Sequence, residues 1–158
     1  MSKDGEIWHT DPVTLRDVLL DWARVESSLD GCPELEKVWV LLLLGREQEA
    51  VAAGRLLLAG AGDRFRPLLV LAQAYQRQYR WHKVAKLHEE ALRLAGTPTR
   101  EAHVRHQIGR RLFEEGRYRD AAAEFEWASD LYQSGGRDRL AEASRQAMTR
   151  AREITDQS

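Results

Sequence analysis

His103 and His106 stand three residues apart in a stretch of helical periodicity, so both imidazoles fall on one helix face, where they could share a metal ion. Two ligands make only half of a structural zinc set, and His82 and His88 do not share a face. Cys32, the only cysteine, sits beside Pro33 at a helix start, where a thiolate would be favoured, but no base accompanies it. Glu89-Glu90 and Glu114-Glu115 read as solvated helix faces rather than an acid–base pair. No strand precedes a glycine-rich phosphate loop. These patterns predict no enzyme, no catalytic residue, no cofactor and no metal site. They leave recognition chemistry. Arg66, Arg77 and Arg110 carry guanidinium forks suited to carboxylates, and Gln73, Gln76 and Gln107 carry amides suited to peptide backbone.

Those side chains must be held by helices, because apolar residues recur at helical spacing and no convincing alternation marks a strand. The pattern predicts an all-α chain of about eight helices. The first begins at Asp11-Pro12, an N-cap followed by a residue preorganised for the first turn, with Leu15, Val18, Leu19, Trp22 and Leu29 inward and Asp30-Gly31 as its stop. Pro33 opens a second helix, apolar almost all round near Leu44 and broken by Gly45. Further helices are expected over about Arg46–Ala59, Phe65–Gln78, Trp81–Ala95, Thr99–Glu115 and Tyr118–Gln133, with glycines or short turns between them. A last helix from Arg137 shows Leu140, Ala143, Ala147, Ala151 and Ile154 as a stripe. Residues 1–10 read as a flexible lead into a single helical domain over 11–156.

Helices of similar length joined by short turns suggest repeated pairs. The segment Gly116 to Ala128, GRYRDAAAEFEWA, is the strongest local signal, preceded by HQIGRRLFEE with Ile108, Gly109 and Leu112. This resembles the tetratricopeptide repeat, a 34-residue helix pair in which small residues at positions 8, 20 and 27 allow close helix approach. A unit starting at Ala102 puts Gly109, Ala121 and Ala128 on those positions, with Leu112 and Phe125 on large ones. A unit from Phe65 aligns Leu71, Ala72, Tyr75, Trp81 and Ala91 but carries Val84 and His88 where a small residue and an aromatic belong. A unit from Gly31 aligns Gly45 and Ala50 and departs at Lys37 and Val38. The repeats expected are therefore 31–64, 65–101 and 102–135, with a degenerate leading element and a capping helix over 137–155.

The resemblance implies a right-handed solenoid whose concave wall binds a protein partner. Carried onto this sequence, that wall includes Trp39, Arg66, Gln73, Gln76, Arg77, His103, His106, Gln107 and Arg110. Trp39 has two readings, an aromatic anchor or core of a buried helix. The partner expected is another protein or peptide, an acidic and partly apolar segment, and charge reversal at Arg77 and Arg110 is expected to abolish its capture. The second reading is a homodimer or regulator in bacterial signalling or transcription, with the alanines of the last helix as the candidate contact.

With 24 basic and 25 acidic residues the formal net charge is −1, which speaks against general affinity for nucleic acid or anionic membrane. The opening residues lack the apolar core of a signal peptide, and the run Val38–Leu44 is shorter than the roughly 20 residues a membrane span needs, so a cytoplasmic protein is expected. Arginine supplies twenty of the 24 basic residues, the codon signature of a GC-rich, bacterial genome.

Overall fold

The computed structural model describes residues 8–19 and 33–157. Its order is β1 (Trp8–Thr10), β2 (Asp17–Leu19), α1 (Glu34–Leu43), α2 (Glu47–Gly60), α3 (Phe65–Arg77), α4 (Trp81–Leu94), α5 (Pro98–Glu114), α6 (Tyr118–Ser134) and α7 (Asp138–Asp156). The fold is all-helical apart from the short hairpin. Among the described residues no helix is long and apolar enough to cross a membrane. Contacts divide the chain into two compact units, Met1–Arg80 and Trp81–Ser158.

The hairpin replaces the start of the helix expected from Asp11. β1 and β2 pair antiparallel in the register Trp8↔Leu19, His9↔Val18, Thr10↔Asp17. The Asp11 carboxylate accepts from the Val13 N–H at 2.9 Å, closing an Asx turn rather than capping a helix. Asp-Pro starts either structure, and Leu15, at φ 61 and buried, bends the chain back into β2. Trp22, Leu29, Asp30, Gly31 and Cys32 lie outside the described residues.

One turn recurs at the ends of four helices. After α1, Gly45 at φ 76 donates to the Leu42 carbonyl while the Arg46 N–H reaches back to Leu41. This is a Schellman closure, which satisfies carbonyls that the helix end would orphan. Gly116 and Arg117 close α5 the same way onto Phe113 and Leu112, and Gly136 and Arg137 close α6 onto Gln133 and Tyr132. At the end of α3 the left-handed position falls to Tyr79, at φ 58, with Arg80 bonding back to Tyr75. Arg46 and Arg117 are also N-caps of the next helices, where each guanidinium pairs with the acid three residues on, Glu49 and Asp120. Ala50, Ala121 and Ala141 follow four residues after the turn arginine and are fully buried.

In the first unit α2 packs on α1 and α3, and α1 also on α3. Val38, Leu41, Leu42, Ala50 and Ala74 form the core, with Val51, Leu57 and Val70 against it. Each fully buried aliphatic side chain contributes about 1.5–3 kcal/mol.

In the second unit α5 packs on α4 and α6, and α6 on α7. Gly109 is where α5 and α6 come closest: a Cβ there would stand 2.6 Å from Phe125 Cε1. Ala121, Phe125 and Ala128 are fully buried and Leu112 nearly so, as their small and large positions predict. The stripe expected on the last helix holds in part. Ala147 and Ala151 are buried as expected, whereas Leu140 and Ala143 are exposed and Ala141 and Ser144 are buried in their place. The alanines offered to a second copy, Ala147 and Ala151, are thus spent inside the unit. Close helix approach selects compact side chains, and the bulkier Leu140 stays outside.

Candidate functional site

The predicted residues fall on two helix faces, one in each unit. On α3, Arg66 is exposed, Gln73 and Arg77 are half-buried, and Gln76 is buried. On α5, His103, His106, Gln107 and Arg110 are all half-buried. Trp39, on α1, is half-buried amid buried neighbours from Val38 to Leu44.

The α3 face is already in use. Arg77 Nη2 donates to the Asp17 backbone carbonyl of β2 at 3.1 Å. Two residues on, past the end of α3, the Arg16 guanidinium lies 5.5 Å from the centre of the Tyr79 ring and donates to its hydroxyl at 3.2 Å. The amide oxygen of Gln76 is buried and accepts no hydrogen bond. Arg77, expected to meet a partner's carboxylate, meets a carbonyl of the chain itself.

On α5 the two histidines turn toward their own unit. His103 Nδ1 lies 2.6 Å from the Tyr132 hydroxyl, with the rings edge to face at 5.2 Å. Burial holds the Tyr132 phenol above its ordinary range, so the hydroxyl stays protonated. His106 Nδ1 lies 2.9 Å from Ser144 Oγ, and its ring packs against Phe125. Burial, with the Arg110 charge and His103 as lesser causes, pushes His106 down to about 3, so it is neutral at pH 7. Each Nδ1 has a partner on α6 or α7, which corrects the reading of the pair as open-wall residues. Among the described residues no group of three or more His, Cys, Asp or Glu is placed to hold a metal.

A second cluster, absent from the predicted site, joins α4, α5 and α6. Arg105 lies 3.4 Å from Glu124, 3.9 Å from Glu101 and 3.6 Å from the centre of the Trp127 ring. Arg111 reaches Glu115 at 3.6 Å and His88 Nδ1 at 3.4 Å. Burial, and then the Arg111 charge, pushes His88 down to about 3, leaving a neutral ring whose Nε2 has no partner. Burial also raises the Glu124 carboxyl, against the pull of Arg105. In the sequence, Arg105, Arg110 and Arg111 make a dense basic cluster beside Glu114 and Glu115. Its partners on α4 and α6 were not visible there. Two surface hollows of about 300 and 220 Å³ lie along α6 and the end of α7, around Arg117–Asp120 and Ala122–Glu126. They contain none of the predicted site residues.

Comparison with family models, curated proteins and solved structures finds no match. Function therefore rests on the residues themselves. On α3, Arg66 is the exposed cation.

Proposed function

We propose that the chain is a tetratricopeptide-type module that binds other proteins without catalysis, through the α3 face of its first unit and the α5 face of its second. The observation that carries the reading is the close approach at Gly109 and Phe125, where a glycine, two buried alanines and a large ring fall on the positions such a repeat requires. The recurring turn supports it. Gly45, Tyr79 and Gly116 sit 34 and 37 residues apart, each left-handed and each followed by arginine. In such a repeat the first helix of each pair carries the binding face, and on this reading α3 and α5 are first helices. Arg66 and Arg110 supply positive charge for an acidic segment, and Gln73 and Gln107 supply amides for its backbone.

The test is quantitative cross-linking of the full chain to its partners in the source cell, comparing wild type with Arg66→Glu/Arg110→Glu. Arg77 is left intact because it holds the hairpin. Loss of the wild-type cross-links in the variant, with unchanged helicity, is expected. An identical set of partners at identical yield would sink the proposal.

A further inference from the structure

The α3 face carries its own occupant. Three contacts, all within the first unit, tie the Trp8–Leu19 hairpin to the helices: Arg77 to the Asp17 carbonyl at 3.1 Å, Arg16 to the Tyr79 hydroxyl at 3.2 Å, and β2 against α1. These three are surface contacts, while Leu15, between the strands, is buried. Arg16, Asp17 and Arg77 are half-buried and Tyr79 is exposed, so the hairpin lies on the surface that a partner would have to use. A two-stranded ribbon of three-residue strands is marginal in water on its own. Its place therefore depends on what holds it to the helices. One feature of the site makes that hold reversible: Leu15 sits at φ 61, a conformation costly for a branched side chain.

We propose that the Trp8–Leu19 hairpin is a displaceable strap over the α3 face, and that the partner it stands in for is an extended segment. That segment gives a backbone carbonyl to Arg77 and lays an arginine on Tyr79. The inference rests on the binding role of α3 and specifies its ligand: extended rather than helical, and basic where it meets Tyr79. The strap sets a threshold for binding, since a partner must supply more than Arg16 and Asp17 already do.

The test uses the full chain and a labelled peptide of residues 8–19, WHTDPVTLRDVL, added in trans. Arg16→Ala weakens the strap and leaves the face intact. Amide exchange at residues 8–19 is expected to rise roughly tenfold in this variant, with α1 to α3 amides unchanged. The peptide, which keeps its own arginine, should bind Arg16→Ala about tenfold more tightly than wild type. Adding Tyr79→Leu to Arg16→Ala should weaken that binding. Exchange at 8–19 that moves in neither Arg16→Ala nor Tyr79→Leu overturns the strap. Peptide binding indifferent to Tyr79 overturns the ligand assignment. Neither result depends on the cross-linking at Arg66 and Arg110, so failure of the strap and failure of the wider binding role are read separately.

Discussion

The Phe125 ring lies against the bare Cα of Gly109, so close that a Cβ there would stand 2.6 Å from Cε1 and 2.7 Å from Cδ1. Phe125 is fully buried, and its ring has no free space into which to retreat. Gly109→Ala gains about 0.5–1 kcal/mol of helix propensity but forces α5 and α6 apart, at a cost of about 1–3 kcal/mol. A net destabilisation by urea denaturation is expected, with partial recovery in Gly109→Ala/Phe125→Leu. Gly54→Ala is the control. There the new Cβ meets the Leu71 Cδ1 methyl at 3.0 Å, an atom that can rotate aside, and stability should stay within about 1 kcal/mol of wild type.

The recurring turns yield a second contrast. Gly45, Gly116 and Gly136 have φ of 76, 82 and 73, and no atom lies within 4 Å of where a Cβ would stand, so only backbone strain opposes alanine. Alanine at any of them should cost about 1 kcal/mol. Gly60 has equal space but an ordinary φ and ends α2, so Gly60→Ala should be neutral or stabilising by up to about 1 kcal/mol. Thermal melts of the four variants decide the matter, and a Gly116→Ala protein as stable as Gly60→Ala would show that the turn conformation is not required.

The helix bounds were legible because their punctuation is local. Gly45, Gly116 and Gly136 stop helices by their own backbone freedom, and observed ends fall within a residue or two of the expected ones. The hairpin was not legible. Its strands are three residues long, too short for alternation to show, and Asp11-Pro12 serves a turn as readily as a helix start. Two of the contacts that hold it come from Arg77 and Tyr79, some sixty residues downstream. The candidate site divides the same way. Spacing put His103 and His106 on one face, but Tyr132 and Ser144, which occupy their Nδ1 atoms, belong to other helices and follow only from packing.

Arg105 tests the cluster that spacing missed. Its guanidinium stacks on Trp127 at 3.6 Å and meets Glu124 at 3.4 Å. A cation over a half-exposed indole is worth about 0.5–1 kcal/mol. A double-mutant cycle between Arg105→Ala and Trp127→Ala should return a coupling of that size. Arg105→Ala should also raise the Glu124 carboxyl further, because burial already pushes it up and the opposing cation is lost. Carbon-detected titration of Glu124 reads this directly, and an unmoved midpoint would remove Arg105 as its partner.

Stability should depend on pH through two buried rings. His88 and His106 are both pushed down to about 3, chiefly by burial. The unfolded chain, with histidines near 6.5, takes up protons first as the pH falls. The contribution of each neutral ring is therefore fully present above pH 6.5 and is lost as the pH drops toward 3, by at most about 1.4 kcal/mol per pH unit for each ring. Urea denaturation at pH 7.0, 5.5 and 4.5 should show this decline, and His88→Leu should reduce its slope. That variant also removes the partnerless Nε2, and Arg111 keeps Glu115. Imidazole NMR signals of both residues should stay in the neutral form down to pH 4.5, and a midpoint near 6.5 for either would mean that its ring is open to water.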